Sequence, residues 1–115
     1  MAAEKNFENQ IKTYLKTRSW YIKYWAGGGF TQAGIPDLLI CNKGRFIACE
    51  VKAKHGRPSD LQIKTLKDIG ENGGIPVLLY PEDFEKFKRL IDSGEYEDYF
   101  RKDVDNRYAV LVQQD

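Results

Sequence analysis

Hydrophobic positions along the chain follow two periods, and the changes between them outline the elements. In residues 5–17, Phe7, Ile11, Tyr14 and Leu15 recur at helical spacing, which predicts an amphipathic first helix. WYIKYW (20–25) is aromatic and β-branched and reads as a strand, ended by the triple glycine at 27–29. Its alternating aromatics predict core contacts, with a dimer contact or base stacking as the alternatives. DLLIC (37–41) and RFIACEVK (45–52) read as strands joined by the turn residues NKG. Ser59 followed by Gln62 is a capping-box pattern and opens a helix that runs to about Gly70.

IPVLLY (75–80) is a continuous apolar run, suited to a strand buried on both faces. PEDFEKFKRLID (81–92) has Pro near its start and acidic residues before basic ones, the arrangement a helix dipole favours. RYAVLV (107–112) reads as a final edge strand, at the end of a Tyr-rich, acidic tail. The order α-β-β-β-α-β-α predicts an α/β (α+β) fold, a small mixed sheet with helices packed on it, forming a single domain over 1–115.

Composition adds exclusions. With 42% hydrophobic and 30% charged residues among 115, the chain is expected to be globular rather than disordered. No apolar run approaches the ~20 residues that span a bilayer, and the first ten residues lack the apolar stretch of a signal peptide. Two cysteines make no disulfide framework, which predicts a reducing, cytoplasmic setting; Cys41 and Cys49 read as small core residues on opposite faces of the hairpin.

The near balance of 18 basic and 17 acidic residues conceals an asymmetry. Residues 43–67 carry seven basic side chains against Glu50 and Asp60, whereas 82–115 carry ten acidic against six basic. Local potential, not the total, steers a polyanion to a surface.

The hairpin holds the candidate chemistry. If the turn is a two-residue Lys43-Gly44 loop, Asn42 pairs with Arg45 and Asp37 lies opposite Glu50, at about 5 Å between Cβ atoms; a three-residue NKG loop would shift the register by one unless a bulge restored it. Lys52, two residues beyond Glu50, shares that face. Two carboxylates this close require a proton or a cation between them. An oxygen-preferring divalent ion, Mg²⁺ first, fits the donors, and Lys52 could orient a water or stabilise developing negative charge. The competing reading is a plain Glu50–Lys52 salt bridge. AGGGFTQAG (26–34) matches no nucleotide-binding glycine pattern, so no nucleotide cofactor is expected and the segment reads as a loop by which substrate reaches Asp37.

The ordered set GIPD (34–37), EVK (50–52) and GRPSDLQ (56–62), after a helical Glu, resembles the virus-type replication-repair nuclease domain, VRR-NUC, of the PD-(D/E)xK superfamily. The likeness runs from about Phe7 to Leu90. It implies a restriction-endonuclease-like αβββαβ core, here with an additional C-terminal helix, and metal-dependent cleavage of DNA phosphodiester bonds in replication, recombination or repair.

By that resemblance Asp37 and Glu50 are the metal carboxylates, the Val51 backbone carbonyl a further ligand, and Lys52 the catalytic lysine. Glu8 is the helical acid that completes the site, with Glu4 one turn earlier as the alternative. Gln62 is the motif's glutamine, although the capping box alone also explains it. Mg²⁺ is the implied cofactor, with Mn²⁺ able to substitute. Branched or supercoiled DNA is the implied partner, and a homodimer the implied assembly, in a bacterial or phage-infected cell.

Lys54, His55, Arg57 and Lys64 are candidate DNA-backbone contacts, with an ordinary basic surface as the alternative. The competing functions are a non-catalytic DNA-binding or assembly module on a nuclease fold, and an interaction domain whose acidic tail docks a partner.

Overall fold

In the computed structural model, residues 2–24 and 33–113 are described; Trp25 and most of the 26–34 glycine segment lie outside them. Helix α1 (Ala2–Leu15) is followed by strands β1 (Trp20–Lys23), β2 (Leu38–Asn42) and β3 (Arg45–Val51). Helix α2 (Asp60–Glu71) then leads to β4 (Ile75–Leu79), a 3-10 turn (Pro81–Asp83), α3 (Phe84–Ser93) and α4 (Glu97–Gln113). The strands lie in sequence order in one sheet, β1–β2 and β2–β3 antiparallel, β3–β4 parallel. The mixed α/β class expected from the pattern is therefore the class observed.

The turn explains the register. Lys43 (φ 51°) and Gly44 (φ 79°) both adopt positive φ, as a two-residue hairpin turn that matches strand twist requires. Asn42 consequently pairs with Arg45 and Leu38 with Cys49. The Asn42 side chain, buried at the turn, accepts from Arg45 and donates to Ser19, which satisfies it.

Strand alternation divides the core in two. Leu38, Ile40, Ile47, Cys49, Val51, Val77 and Leu79 face Phe7, Ile11 and Leu15 of α1 and Phe87, Leu90 and Ile91 of α3. Ala48 and Leu78 face the opposite side, against Ile63 and Leu66 of α2 and Val104 of α4. Buried on both faces, β4 and β3 from Ile47 onward lose the alternation of burial, and β4 is continuously apolar, as the 75–80 run indicated.

Four expectations change. Residues 107–112 belong to helix α4, not to an edge strand. Phe100, Val104, Tyr108 and Leu111 all reach the cores at helical intervals, and that packing overrides the strand-like look of AVLV. The acidic tail is thus packed structure at its apolar positions. Cys41 is exposed, and the core reading of Trp20 also fails, because its side chain is 66% exposed. The reason is width: α2 and α4 cover β4 and the middle of β3 but leave Trp20 and Ile22 of β1, Cys41 of β2 and Phe46 at the start of β3 exposed. The 81–92 segment starts as a 3-10 turn and becomes α-helical only at Phe84.

Candidate metal and phosphodiester site

Asp37 sits on a bend immediately before β2, where chain entry is set by Gly34. That glycine has φ +82°, and a Cβ on it would lie 2.6 Å from Leu61 Cγ of α2. Gly34→Ala should therefore cost about 1–2 kcal/mol through backbone strain and the Leu61 contact. Thermal or urea unfolding checks it, and an unchanged stability would show that this approach carries no constraint.

From the bend, Asp37 Oδ2 accepts the Val51 backbone N–H at 2.9 Å. The carboxylate is thus held across the hairpin against β3, beside the residue that carries the next charge. Glu50 lies on β3 and is only 3% exposed. Its Oε2 accepts from Gln62 Nε2 at 2.9 Å and lies 3.3 Å from Lys52 Nζ. Its Oε1 is buried and has no hydrogen-bond partner among the described residues. Burial first, and then the neighbouring Asp37 charge, push the Glu50 carboxyl up from 4.5 to about 7, against the opposing pull of Lys52.

Gln62 performs both roles open to it. Its backbone N–H donates to Ser59 Oγ, its side-chain oxygen accepts from the Ser59 N–H, and its Nε2 is left to donate to Glu50. The capping box holds the amide at a fixed height on α2, so local helix chemistry aims the group at the carboxylate.

Glu8 also comes to this end of the sheet, but through an intermediary that sequence reasoning missed. Lys23 Nζ lies 2.7 Å from Glu8 Oε1 and 3.4 Å from Asp37 Oδ1. Lys12 pairs with the other Glu8 oxygen at 3.1 Å. Burial raises the Glu8 pKa, but its hydrogen bonds and charge contacts with Lys23 and Lys12 outweigh burial and leave it below its ordinary value. Among the described residues, no three His, Cys, Asp or Glu side chains converge as a metal cluster. Asp37 and Glu50 are the two carboxylates brought together here, with the Val51 N–H of β3 fixing Asp37 beside them. Glu4 enters no ion pair with them among the described residues.

The basic candidates are more dispersed. Lys54, His55 and Arg57 follow β3 and line an open cleft of about 460 Å³. Glu82, Asp83 and Asp103 line the same cleft, so its charge is mixed rather than uniformly basic. Arg107 of α4 joins it, paired with Asp103 at 3.1 Å. Lys64 lies on the exposed side of α2, 3.4 Å from Asp68, and two residues past Gln62 it projects about 200° around the helix from that side chain.

The residues fit a divalent cation on chemical grounds. Mg²⁺ is commonly held by one or two carboxylates with water and phosphate oxygens completing its shell, so two acids suffice. An unpaired, buried carboxylate oxygen beside a second carboxylate is where a cation removes the largest penalty. Compared with known proteins, the chain matches no family model, no curated protein and no solved structure.

Proposed function

We propose that this protein is a Mg²⁺- or Mn²⁺-dependent DNA endonuclease of the VRR-NUC type. The observation that carries the reading is the buried Glu50 beside Asp37, with Lys52 and Gln62 on one of its oxygens and, among the described residues, no hydrogen-bond donor on the other. A structural Glu50–Lys52 salt bridge accounts for Oε2 but leaves Oε1 unpaired, at a cost an ordinary sheet position would not carry.

Asp37, Glu50 and, by the resemblance, the Val51 carbonyl would hold the ion, which would supply Lewis-acid chemistry for phosphodiester hydrolysis. Lys52, tethered to Glu50, orients the attacking water and stabilises negative charge developing on the phosphate. Gln62 fixes the Glu50 rotamer, so that the carboxylate is presented in one orientation.

The parallel β3–β4 pair and the α1-β1-β2-β3-α2-β4 order support the same reading, since both agree with the core that the motif implies. The exposed apolar row Trp20, Ile22 and Phe46 supports association of two copies, which would offer two sites to two strands. Lys54, His55 and Arg57 contact the DNA backbone in this reading.

The test supplies supercoiled, flap and four-way-junction DNA with and without Mg²⁺. Cleavage is expected only with the metal and fastest on branched DNA. Intact DNA in every lane would overturn the catalytic reading and leave a non-catalytic DNA-binding module. A monomer mass by sedimentation at micromolar concentration would remove the paired-cutting element.

A further inference from the structure

The Glu8–Lys23–Asp37 chain bears on how many cations the site accepts. Glu8 Oε1 and Asp37 Oδ1 approach the same ammonium, at 2.7 and 3.4 Å. The three side chains are only 12%, 24% and 19% exposed for Glu8, Asp37 and Lys23. They come from three elements: α1, the bend before β2, and the edge strand β1. Lys12 takes Oε2 of Glu8, and Oε1 is the oxygen on Lys23.

Two carboxylates joined by a shared cation in a mostly enclosed setting are what a divalent ion would also seek. An ammonium meets the charge requirement with one positive charge, but it has no coordination positions for water or phosphate.

We propose that Lys23 is a built-in counter-cation that holds the place of a second divalent ion, so that the site loads a single metal ion, at Asp37 and Glu50. This rests on the metal-site reading above and extends it. Lys23 is a positioning residue here: it neutralises Glu8 and steadies Asp37, leaving the Glu50 side of Asp37 to the metal. A single ion places more of the phosphate-charge stabilisation on Lys52.

Titration with MnCl₂ alone, followed by calorimetry and by electron paramagnetic resonance of free Mn²⁺, counts the ions without reference to cleavage. The unsubstituted chain should bind one Mn²⁺. Lys23→Met should bind two, Lys23→Arg one, and the Glu8→Gln/Lys23→Met double variant one, because the second ion then lacks its Glu8 ligand. Two ions in the unsubstituted chain overturn the proposal, and that result does not depend on any variant folding. One ion in a folded Lys23→Met also overturns it while leaving the Asp37–Glu50 site intact. No Mn²⁺ on the unsubstituted chain removes the metal-site reading itself, and this inference with it.

Discussion

Glu50→Gln should make the metal-free protein more stable at pH 8 while reducing any metal-dependent cleavage by about 10³-fold or more. The stability half follows from proton linkage. The Glu50 carboxyl titrates near 4.5 when unfolded and at about 7 in the fold, because burial and the Asp37 charge disfavour its ionised form. The folded state therefore binds the extra proton between those values. Its contribution is fully present below pH 4.5 and is lost as pH rises through about 7.

At pH 8 the folded protein holds an ionised Glu50 at a cost on the order of 3 kcal/mol relative to the neutral form. Gln is close to an isostere of that neutral form and keeps an acceptor for the Gln62 amide. The two proteins should have similar unfolding free energies at pH 5 and diverge toward pH 8, with Glu50→Gln the more stable. Acids with lowered pKa, such as Glu8, are common to both and cancel in the difference. Urea unfolding across that range measures it. A variant less stable at pH 8 than at pH 5, relative to the parent, would contradict the charge-burial account.

The second large effect separates holding the ion from using it. Asp37→Asn should abolish Mn²⁺ binding and cleavage together, because it removes one of two carboxylates from the donor set. Lys52→Met should retain the ion and still lose about 10²–10³-fold in cleavage rate, the size of effect seen when one donor to a developing anion is removed. Mn²⁺ titration and a cleavage time course on the same preparations make the comparison. Loss of ion binding in a folded Lys52→Met would mean that the lysine serves to position Glu50 rather than to act on the reacting phosphate.

Much of this arrangement can be read from sequence because the hairpin turn is so short. A two-residue Lys43-Gly44 turn leaves one register, and that register alone brings Asp37, Glu50 and Lys52 to one end of the sheet. Gln62 was legible for a related reason: the capping box sets its position on α2 within a residue. Lys23 was not, since WYIKYW reads as an aromatic strand and its one charged residue resembles an edge substitution. The available signal was a lysine within an apolar run, in a chain whose first helix places Glu8 between Phe7 and Ile11. The 107–112 helix was missed because the window began too late; the 3.6-residue period appears only when Phe100 and Val104 are included. Exposure of Trp20 and Cys41 depends on how far α2 and α4 extend across the sheet, a property of packing that a strand's own pattern does not encode.

The most direct test of the central claim is nicking of supercoiled plasmid at pH 8, with Mg²⁺ increased from zero, by the unsubstituted protein and by Asp37→Asn side by side. The rate should rise from nothing and saturate with Mg²⁺ for the first protein and stay at background for the second. Cleavage in EDTA, or equal cleavage by Asp37→Asn, would contradict it.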